Sequence, residues 1–243
     1  MNNSLVIVPT YNEAENIVNI INHILSLSVQ FDILIVDDNS PDGTSKLVNG
    51  FIKKQQNKVF IISRLKKEGL GKAYKEGFNW ALNHNYKYVF EMDADFSHDP
   101  EDLVRIYDNL EKYDVVIGSR YINGINVVNW PLSRIILSYS ASLYSRIITG
   151  MPVKDATSGF VGYRSEVLKS IDVESLVFNG YAFQIELKFK SFKNKFKILE
   201  IPIIFKDRLY GDSKMNSSII FEAVFGLISM RLKSLFKLLK INE

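Results

Sequence analysis

The chain has 243 residues and a formal net charge of +3, from 30 Lys and Arg against 27 Asp and Glu. Charges this balanced exclude nucleic-acid binding by bulk electrostatics, and the absence of cysteine excludes disulfides, thiolate nucleophiles and Cys-ligated zinc. The length suits one large α/β domain, alone or with an appendage, around a substantial core.

The first nine residues carry no basic segment and no long apolar run, so no signal peptide is read there and a cytoplasmic setting is expected. Leu5 to Val8 is a short apolar run halted at Pro9-Thr-Tyr-Asn12, after which Ile17, Ile20, Ile21, Ile24 and Leu25 recur at helical spacing. Phe31 to Val36 reads as a second buried strand, running into Asp37-Asp-Asn-Ser-Pro-Asp-Gly-Thr44. Proline presets φ in that turn and glycine supplies positive φ. A helix from about Ser45 to Gln55 and a strand from Val59 to Ser63 follow. Gly69-Leu-Gly-Lys72 opens a helix running to about Asn83. Its two glycines and Lys72 suit a phosphate approached by backbone N–H groups, and suit a plain basic loop equally well.

Tyr88 to Met92 is an apolar run that empties into Asp93 and Asp95, with Asp99 as N-cap and Pro100 at the first position of a helix to Lys112. Ligand crevices of open α/β sheets lie at such strand ends, and two carboxylates one residue apart suit Mg²⁺ or Mn²⁺ bridged to phosphates. A solvated acidic loop is the alternative. Tyr113 to Gly118 is the fifth strand, followed by Ser119-Arg120-Tyr121. Alternation at this spacing predicts an α/β fold, a mostly parallel sheet with helices on both faces.

Leu132 to Thr149 reads as a helix with Ile136, Tyr139, Leu143 and Ile147 along one side. Arg134 and Ser138, one turn apart on another side, can face a single anion. Asp155 to Phe160 is a polar loop before a short strand to Tyr163, and Gly180 starts a further helix. Ile198 to Phe205 alternates as an edge strand does, because Pro202 has no N–H to give a ladder. In the tail, Lys233, Lys237 and Lys240 share one helical face and Leu232, Leu235, Phe236 and Leu239 the other. Its longest run without a basic residue, Met215 to Met230, carries Glu222 and is too short to span a bilayer, so a helix there lies in a membrane interface or packs on protein.

Seven segments, taken in order, resemble one family: Pro9-Thr-Tyr-Asn-Glu13, Asp37-Asp-Asn-Ser-Pro-Asp-Gly-Thr44, Gly69-Leu-Gly-Lys-Ala-Tyr74, Met92-Asp-Ala-Asp-Phe-Ser-His98, Gly118-Ser-Arg-Tyr121, Asp155-Ala-Thr-Ser-Gly-Phe160 and Arg208-Leu-Tyr-Gly-Asp-Ser-Lys214. The family is the dolichol-phosphate (polyprenyl-phosphate) mannose synthases, inverting family 2 glycosyltransferases of the GT-A fold. The run of motifs is far more specific than any one of them. The resemblance implies a catalytic GT-A domain over residues 1–214, with an amphipathic C-terminal helix over 215–243 beyond its reach. It also implies GDP-mannose as donor, a polyprenyl phosphate as acceptor and Mg²⁺ or Mn²⁺ as cofactor.

On that resemblance Pro9, Tyr11, Glu13 and Asp38 hold the nucleoside, and Lys72, Arg208 and Lys214 lie on the donor side, the last two against its diphosphate or closing a loop over it. Asp93 and Asp95 form the D-x-D pair, with Asp95 on the metal, Asp93 near the ribose or metal, and Ser97 close by. Arg120, Arg134 and Ser138 receive the acceptor phosphate, Asp155 orients the sugar, and Asp93, Asp95 and Arg120 are the catalytic set. An acceptor phosphate is already ionised, so the chemistry needs positioning and charge neutralisation more than a strong base. The implied setting is peripheral, on the cytoplasmic face of a membrane, reached by a surface helix or through a separate membrane subunit. Three alternatives stand beside this reading. The same fold can use a UDP-sugar or a saccharide acceptor. A non-catalytic docking subunit would not need Asp93, Asp95 and Arg120. A D-x-D-x-T/S phosphatase would place its aspartate after the first strand.

Overall fold

The computed structural model describes residues 2–53, 58–207 and 224–234. Its first half alternates β1 (Ser4–Thr10), α1 (Ile17–Ser26), β2 (Asp32–Asp37), α2 (Thr44–Ile52), β3 (Val59–Ser63), α3 (Leu70–Asn83), β4 (Tyr88–Glu91), α4 (Asp102–Asn109) and β5 (Val115–Ser119). Then come β6 (Val127–Val128), α5 (Leu132–Thr149), β7 (Val161–Arg164), α6 (Ser165–Ile171), α7 (Tyr181–Lys193), β8 (Ile198–Pro202) and β9 (Phe205–Lys206). Residues 224–234 are helical.

The main sheet has seven strands in the order β3-β2-β1-β4-β7-β5-β8, and β6 pairs with β9 in a small second sheet. All neighbours in the main sheet are parallel except β7, which runs antiparallel to both β4 and β5. The predicted edge strand is β8, with Pro202 opposite Ser119 at its end. Chain order leaves β1 toward β2 on one side and finds β4 on the other. That switch point opens a crevice at the carboxyl ends of β1 and β4.

Both faces of the sheet are covered because its central strands are apolar on both sides. Leu5, Ile7, Leu34, Val36 and Val89 pack with residues of α3, α6 and α7, including Phe78, Leu168 and Phe183. Val6, Val8, Ile33, Ile35 and Phe90 face the other way, onto Ile17, Ile20 and Ile24 of α1 and Leu103 and Ile106 of α4. The α1 face therefore follows the predicted spacing.

Helix α4 starts two residues later than predicted. Asp99 does cap the turn, its Oδ1 accepting from Glu101 N at 3.1 Å, but Asp99 to Glu101 form a turn ahead of the helix rather than its first residues. Helix α5 has the predicted bounds, and the side that carries its large apolar residues is turned outward. Ile136 and Ile147 are 57% and 71% exposed, while Ser142, Ser145 and Thr149 point inward. In the tail, Leu227 is buried and Gly226 lies against Phe178. Lys237, Lys240, Leu235, Phe236 and Leu239 lie outside the described residues. No helix among the described residues is long and apolar enough to cross a membrane.

The contact between β7 and α4 leaves no room for a side chain at Gly162. A Cβ there would sit 2.5 Å from Ile106 Cγ2 and 3.1 Å from Phe90 Cε1. Gly162→Ala is expected to destabilise the protein by about 1–3 kcal/mol through overpacking. Urea unfolding checks this, and an unchanged midpoint would show that α4 yields without cost.

Candidate active site

The acids that follow β1 and β2 are knitted into one surface by register. Thr10 pairs with Asp37, and Thr10 Oγ1 donates to Asp37 Oδ1 at 2.9 Å. Asp37 Oδ2 also accepts from Ser40 N at 3.0 Å and Ser45 Oγ at 2.6 Å, so this carboxylate is consumed in holding the loop. Glu13 N donates to Thr44 Oγ1 at 3.0 Å, and Asn12 and Asn39 take positive φ where the two loops turn. Pro9, Tyr11, Glu13 and Asp38 are thereby gathered at the carboxyl ends of adjacent strands. Asp38 is buried and paired with Arg64, whose guanidinium also meets Glu68 and Glu76, each at 3.1 Å. Lys67 Nζ lies 3.9 Å from the centre of the Tyr11 ring.

Of the two glycines at the start of α3, Gly69 takes a φ of 100° and Gly71 serves packing. Gly71 N donates to Asn179 O at 2.9 Å, and a Cβ at Gly71 would lie 2.8 Å from Asn179 Cα. Only glycine lets the backbone of residues 178–179 come this close. Lys72 Nζ pairs with Glu68 at 3.0 Å on the exposed start of the helix.

Strand β4 ends at Glu91, and Met92 N donates to Ile7 O at 3.2 Å, which carries Asp93 and Asp95 out beside β1 at the crevice. Asp95 Oδ1 accepts from Ser97 N at 3.0 Å, while Phe96 takes a φ of 58° to make the turn. His98 is buried, stacked on Phe160 with centroids 4.7 Å apart, and its Nδ1 lies 3.9 Å from Asp93 Oδ2. Burial pushes its imidazole down to about 4, outweighing the pull of Asp95 and Asp155, so the ring is neutral near pH 7. Among the described residues no three His, Cys, Asp or Glu side chains converge as a preformed metal cage. The donor set of Asp93, Asp95 and Ser97 nonetheless fits a hard divalent cation, which binds through one or two carboxylates and completes its shell with phosphate oxygens.

Across the crevice Arg120 and Asp155 form a buried pair. Asp155 Oδ2 accepts from Arg120 N at 2.9 Å and Nε at 2.7 Å, and Oδ1 accepts from Nη2 at 2.6 Å. Burial alone would raise the Asp155 carboxyl, but the Arg120 charge and these hydrogen bonds outweigh it and hold the group below its usual range. Asp155 has no exposed surface, so any influence on a sugar passes through Arg120. Arg134 Nη1 bonds Asp207 Oδ1 at 2.6 Å, with its guanidinium 4.0 Å from the Trp130 ring centre. Ser138 Oγ accepts from Tyr121 OH at 2.8 Å. Asp93, Asp95, Arg120, Arg134 and Ser138 all line one cavity of about 350 Å³, whose remaining wall includes Leu137, Ala141, Tyr144, Ile185 and Leu227. Arg208 and Lys214 lie outside the described residues.

Beneath the cavity runs a buried polar chain. Tyr163 OH donates to Glu91 Oε2 at 3.2 Å, and Gln184 Nε2 donates to Glu91 Oε1 at 3.1 Å. Lys188 Nζ donates to Gln184 Oε1 at 3.2 Å and to Ser158 O at 2.6 Å. Burial pushes the Glu91 carboxyl up and the Lys188 ammonium down, each opposed by the other's charge. Sequence reasoning singles out none of Arg64, Glu91, Gln184 or Lys188. Two had a usable signal: an arginine just past a buried strand on the edge where acids gather, and an acid inside an apolar run. Gln184 and Lys188 share a spacing common to any helix, which marks nothing.

The chain matches the family described as Glycosyl transferase family 2 over residues 5–172. It is 44% identical over 223 residues to a polyprenol monophosphomannose synthase of Mycolicibacterium smegmatis, covering 91% of this chain and 84% of that protein. It is 40% identical over 220 residues to an undecaprenyl-phosphate mannosyltransferase of Micrococcus luteus, covering 90% of each. Among solved structures it is similar in fold to the glucosyl-3-phosphoglycerate synthase of Mycobacterium tuberculosis. The complex of that protein with uridine diphosphate superposes with a TM-score of 0.66 at 18% identity, over 95% of this chain and 80% of that one. The complex with Mn²⁺ and UDP-glucose superposes with a TM-score of 0.67 at 16% identity, over 94% and 79%.

Removing one partner of a buried pair costs on the order of 3–5 kcal/mol, because the other charge is left uncompensated. Asp155→Asn should destabilise the protein by about that much at neutral pH. The Asp155 carboxyl is depressed on folding, so its contribution is complete above the unfolded value of about 3.9 and is lost as pH falls through the folded value. The stability gap between wild type and Asp155→Asn should thus be constant down to roughly pH 4 and shrink below it. Chemical denaturation at a series of pH values reads this directly, and a gap that persists in strong acid would assign the loss to packing.

Proposed function

Since the chain belongs to glycosyl transferase family 2, with the GT-A fold and glycosyltransferase activity that membership carries, we propose that it transfers mannose from GDP-mannose to a polyprenyl phosphate with inversion. The observation that supports this best is the make-up of one cavity. Asp93, Asp95, Arg120 and Arg134, with several hydroxyl side chains, occupy part of its lining, and apolar side chains including Leu137, Ala141, Ile185 and Leu227 occupy another part. A substrate with an anionic head and a hydrocarbon body matches that division. The two relatives named for mannosyl transfer to lipid phosphates support both the sugar and the acceptor class.

In this reading Pro9, Tyr11, Glu13 and Asp38 hold the nucleoside, with Arg64 keeping Asp38 in place. Lys72, Arg208 and Lys214 are donor-side cations. A Mg²⁺ or Mn²⁺ ion, held by Asp95 and Asp93 with Ser97 beside it, supplies positive charge to the diphosphate. Arg120, Arg134 and Ser138 bind the acceptor phosphate and aim one of its oxygens at the anomeric carbon. The new C–O bond forms on the face opposite the diphosphate, whose bond to that carbon breaks, and GDP leaves with the electron pair. Fixing two anionic reactants in line is the main task of the protein here, and fixed cations in a dehydrated pocket perform it. Asp155 orients the sugar side by holding Arg120. Residues 1–214 are the catalytic domain and 215–243 an appended helix. The reaction takes place at the cytoplasmic face of a membrane, where the acceptor resides, with or without a separate membrane subunit.

The test is transfer of labelled sugar by purified protein to a short polyprenyl phosphate in detergent, comparing GDP-mannose with UDP-sugars. Metal-dependent mannolipid from GDP-mannose is expected, and product from a UDP-sugar alone would replace the donor. Asp95→Ala should abolish the metal-dependent rate. Hydrogen bonds to charged groups contribute roughly 1.5–3 kcal/mol, so Arg134→Gln should raise the acceptor KM or lower kcat by about 10–100-fold while donor binding changes little. If neither acceptor KM nor kcat moves, Arg134 has no part in holding the phosphate.

A further inference from the structure

Gln184 and Gly159 lie side by side in the lining of the main cavity. The Gln184 amide has a fixed orientation: Nε2 donates to Glu91 Oε1 at 3.1 Å, and Oε1 accepts from Lys188 Nζ at 3.2 Å. An ammonium has only N–H groups to give, so the amide oxygen must face Lys188 and the nitrogen Glu91. These bonds use one of the amide's two N–H groups and one of its oxygen's two lone pairs, which leaves a donor and an acceptor. Gly159, beside them, meets neither of the usual demands for glycine. Its φ is not positive, and a Cβ there would meet Gln184 Nε2 alone, at 3.9 Å, an ordinary contact. What a larger side chain would do is cover the amide. The neighbouring hydroxyls are engaged elsewhere, since Thr157 Oγ1 accepts from Arg120 Nη2 at 2.8 Å and Ser158 Oγ donates to Gly118 O at 2.6 Å.

We infer that the notch at Gly159 seats the transferred hexose, and that Gln184 selects which hexose by offering its remaining N–H and lone pair to two sugar hydroxyls. The inference rests on the reading of the cavity as the place where a sugar leaves a nucleotide. Gln184 is bonded to Glu91, two residues before Asp93, and through Lys188 to the Ser158 carbonyl, in the loop whose Asp155 holds Arg120. It is thereby tied to the carboxylate side and to the arginine side of the cavity, and a carbon passing from a diphosphate to a phosphate must lie between the two. An amide held at both ends cannot turn to meet a misplaced hydroxyl. A buried site of that kind rejects a ligand that leaves its polar groups unpaired, and so discriminates among sugars of equal size.

Gly159→Val should fill the notch and leave Gln184 with both of its bonds. With Mg²⁺ present and no acceptor, calorimetry on the full chain should give this variant an unchanged Kd for GDP and a Kd for GDP-mannose weakened about tenfold, as loss of roughly one net hydrogen bond predicts. Transfer from GDP-mannose deoxygenated in turn at C2, C3, C4 and C6 should single out one or two hydroxyls whose removal slows the wild type by about tenfold or more, and the variant should be indifferent to those positions. Equal weakening of GDP and GDP-mannose overturns the inference, because the glycine then serves the nucleotide or the fold. A change confined to the acceptor KM overturns it in favour of the lipid. If the wild type binds UDP and UDP-glucose in place of the guanosine pair, the proposed donor falls, and the same comparison of diphosphate with sugar diphosphate decides the notch. Thermal melting confirms that the variant is folded, and Gly159→Ala, expected to cost about threefold, serves if it is not.

Discussion

The buried pair of Arg120 and Asp155 joins the end of β5 to the loop that precedes β7, and the arginine-lined half of the crevice hangs on it. Taking two charges out of water costs several kcal/mol each, and the cost is met only where hydrogen bonds satisfy both partners. Here three N–H groups of Arg120 fill the Asp155 oxygens, and Thr157 Oγ1 accepts a further bond from Arg120 Nη2 at 2.8 Å. The loop is held in turn by Glu200 of β8, whose oxygens accept from Lys154 N at 2.7 Å and Asp155 N at 2.9 Å. Once fixed, the Arg120 guanidinium stands 5.5 Å from the Trp130 ring centre, and Trp130 carries Arg134 at 4.0 Å. The Arg120–Asp155 pair sets the position of Arg120, and Arg134 is held by its own ion pair with Asp207.

The floor of the cavity obeys the same constraint. Glu91, Gln184, Lys188 and Tyr163 are all nearly or fully buried, and an amide bridges the acid to the base. Because Lys188 holds the Ser158 carbonyl and Glu91 sits two residues ahead of Asp93, this chain ties the loop of Asp155 to the strand that delivers the D-x-D acids. Such a network is rigid when every member is satisfied. Rigidity is what the proposed reaction between two anions requires, since misplacement of either forfeits the benefit of proximity.

Helix α5 meets three environments around its circumference. Serines face the domain, Arg134 and Ser138 face the cavity, and an apolar strip faces out. A helix with demands on every side is not oriented by hydrophobic spacing alone. Spacing normally identifies the side that meets the core. Here the side with Ile136 and Ile147 is the one turned away from it.

Much of the frame was legible in the chain itself. Short apolar runs marked β1, β2 and β4, and those of β2 and β4 ended in acids that placed Asp38, Asp93 and Asp95 at one sheet edge; spacing marked α5 over Leu132 to Thr149; Pro202 marked an edge strand. These features depend on residues within a turn or a strand of one another, so local sterics and periodicity decide them. The tertiary structure alone decided the antiparallel entry of β7 between β4 and β5, the partnership of Arg120 with Asp155, the union of Arg64 with Asp38, the use of Gly71 for close packing, and the outward turn of α5. Each joins residues far apart in the chain or depends on which surface a neighbour covers, and only the packed whole, burying some groups and leaving others to solvent, selects among the pairings that local chemistry allows.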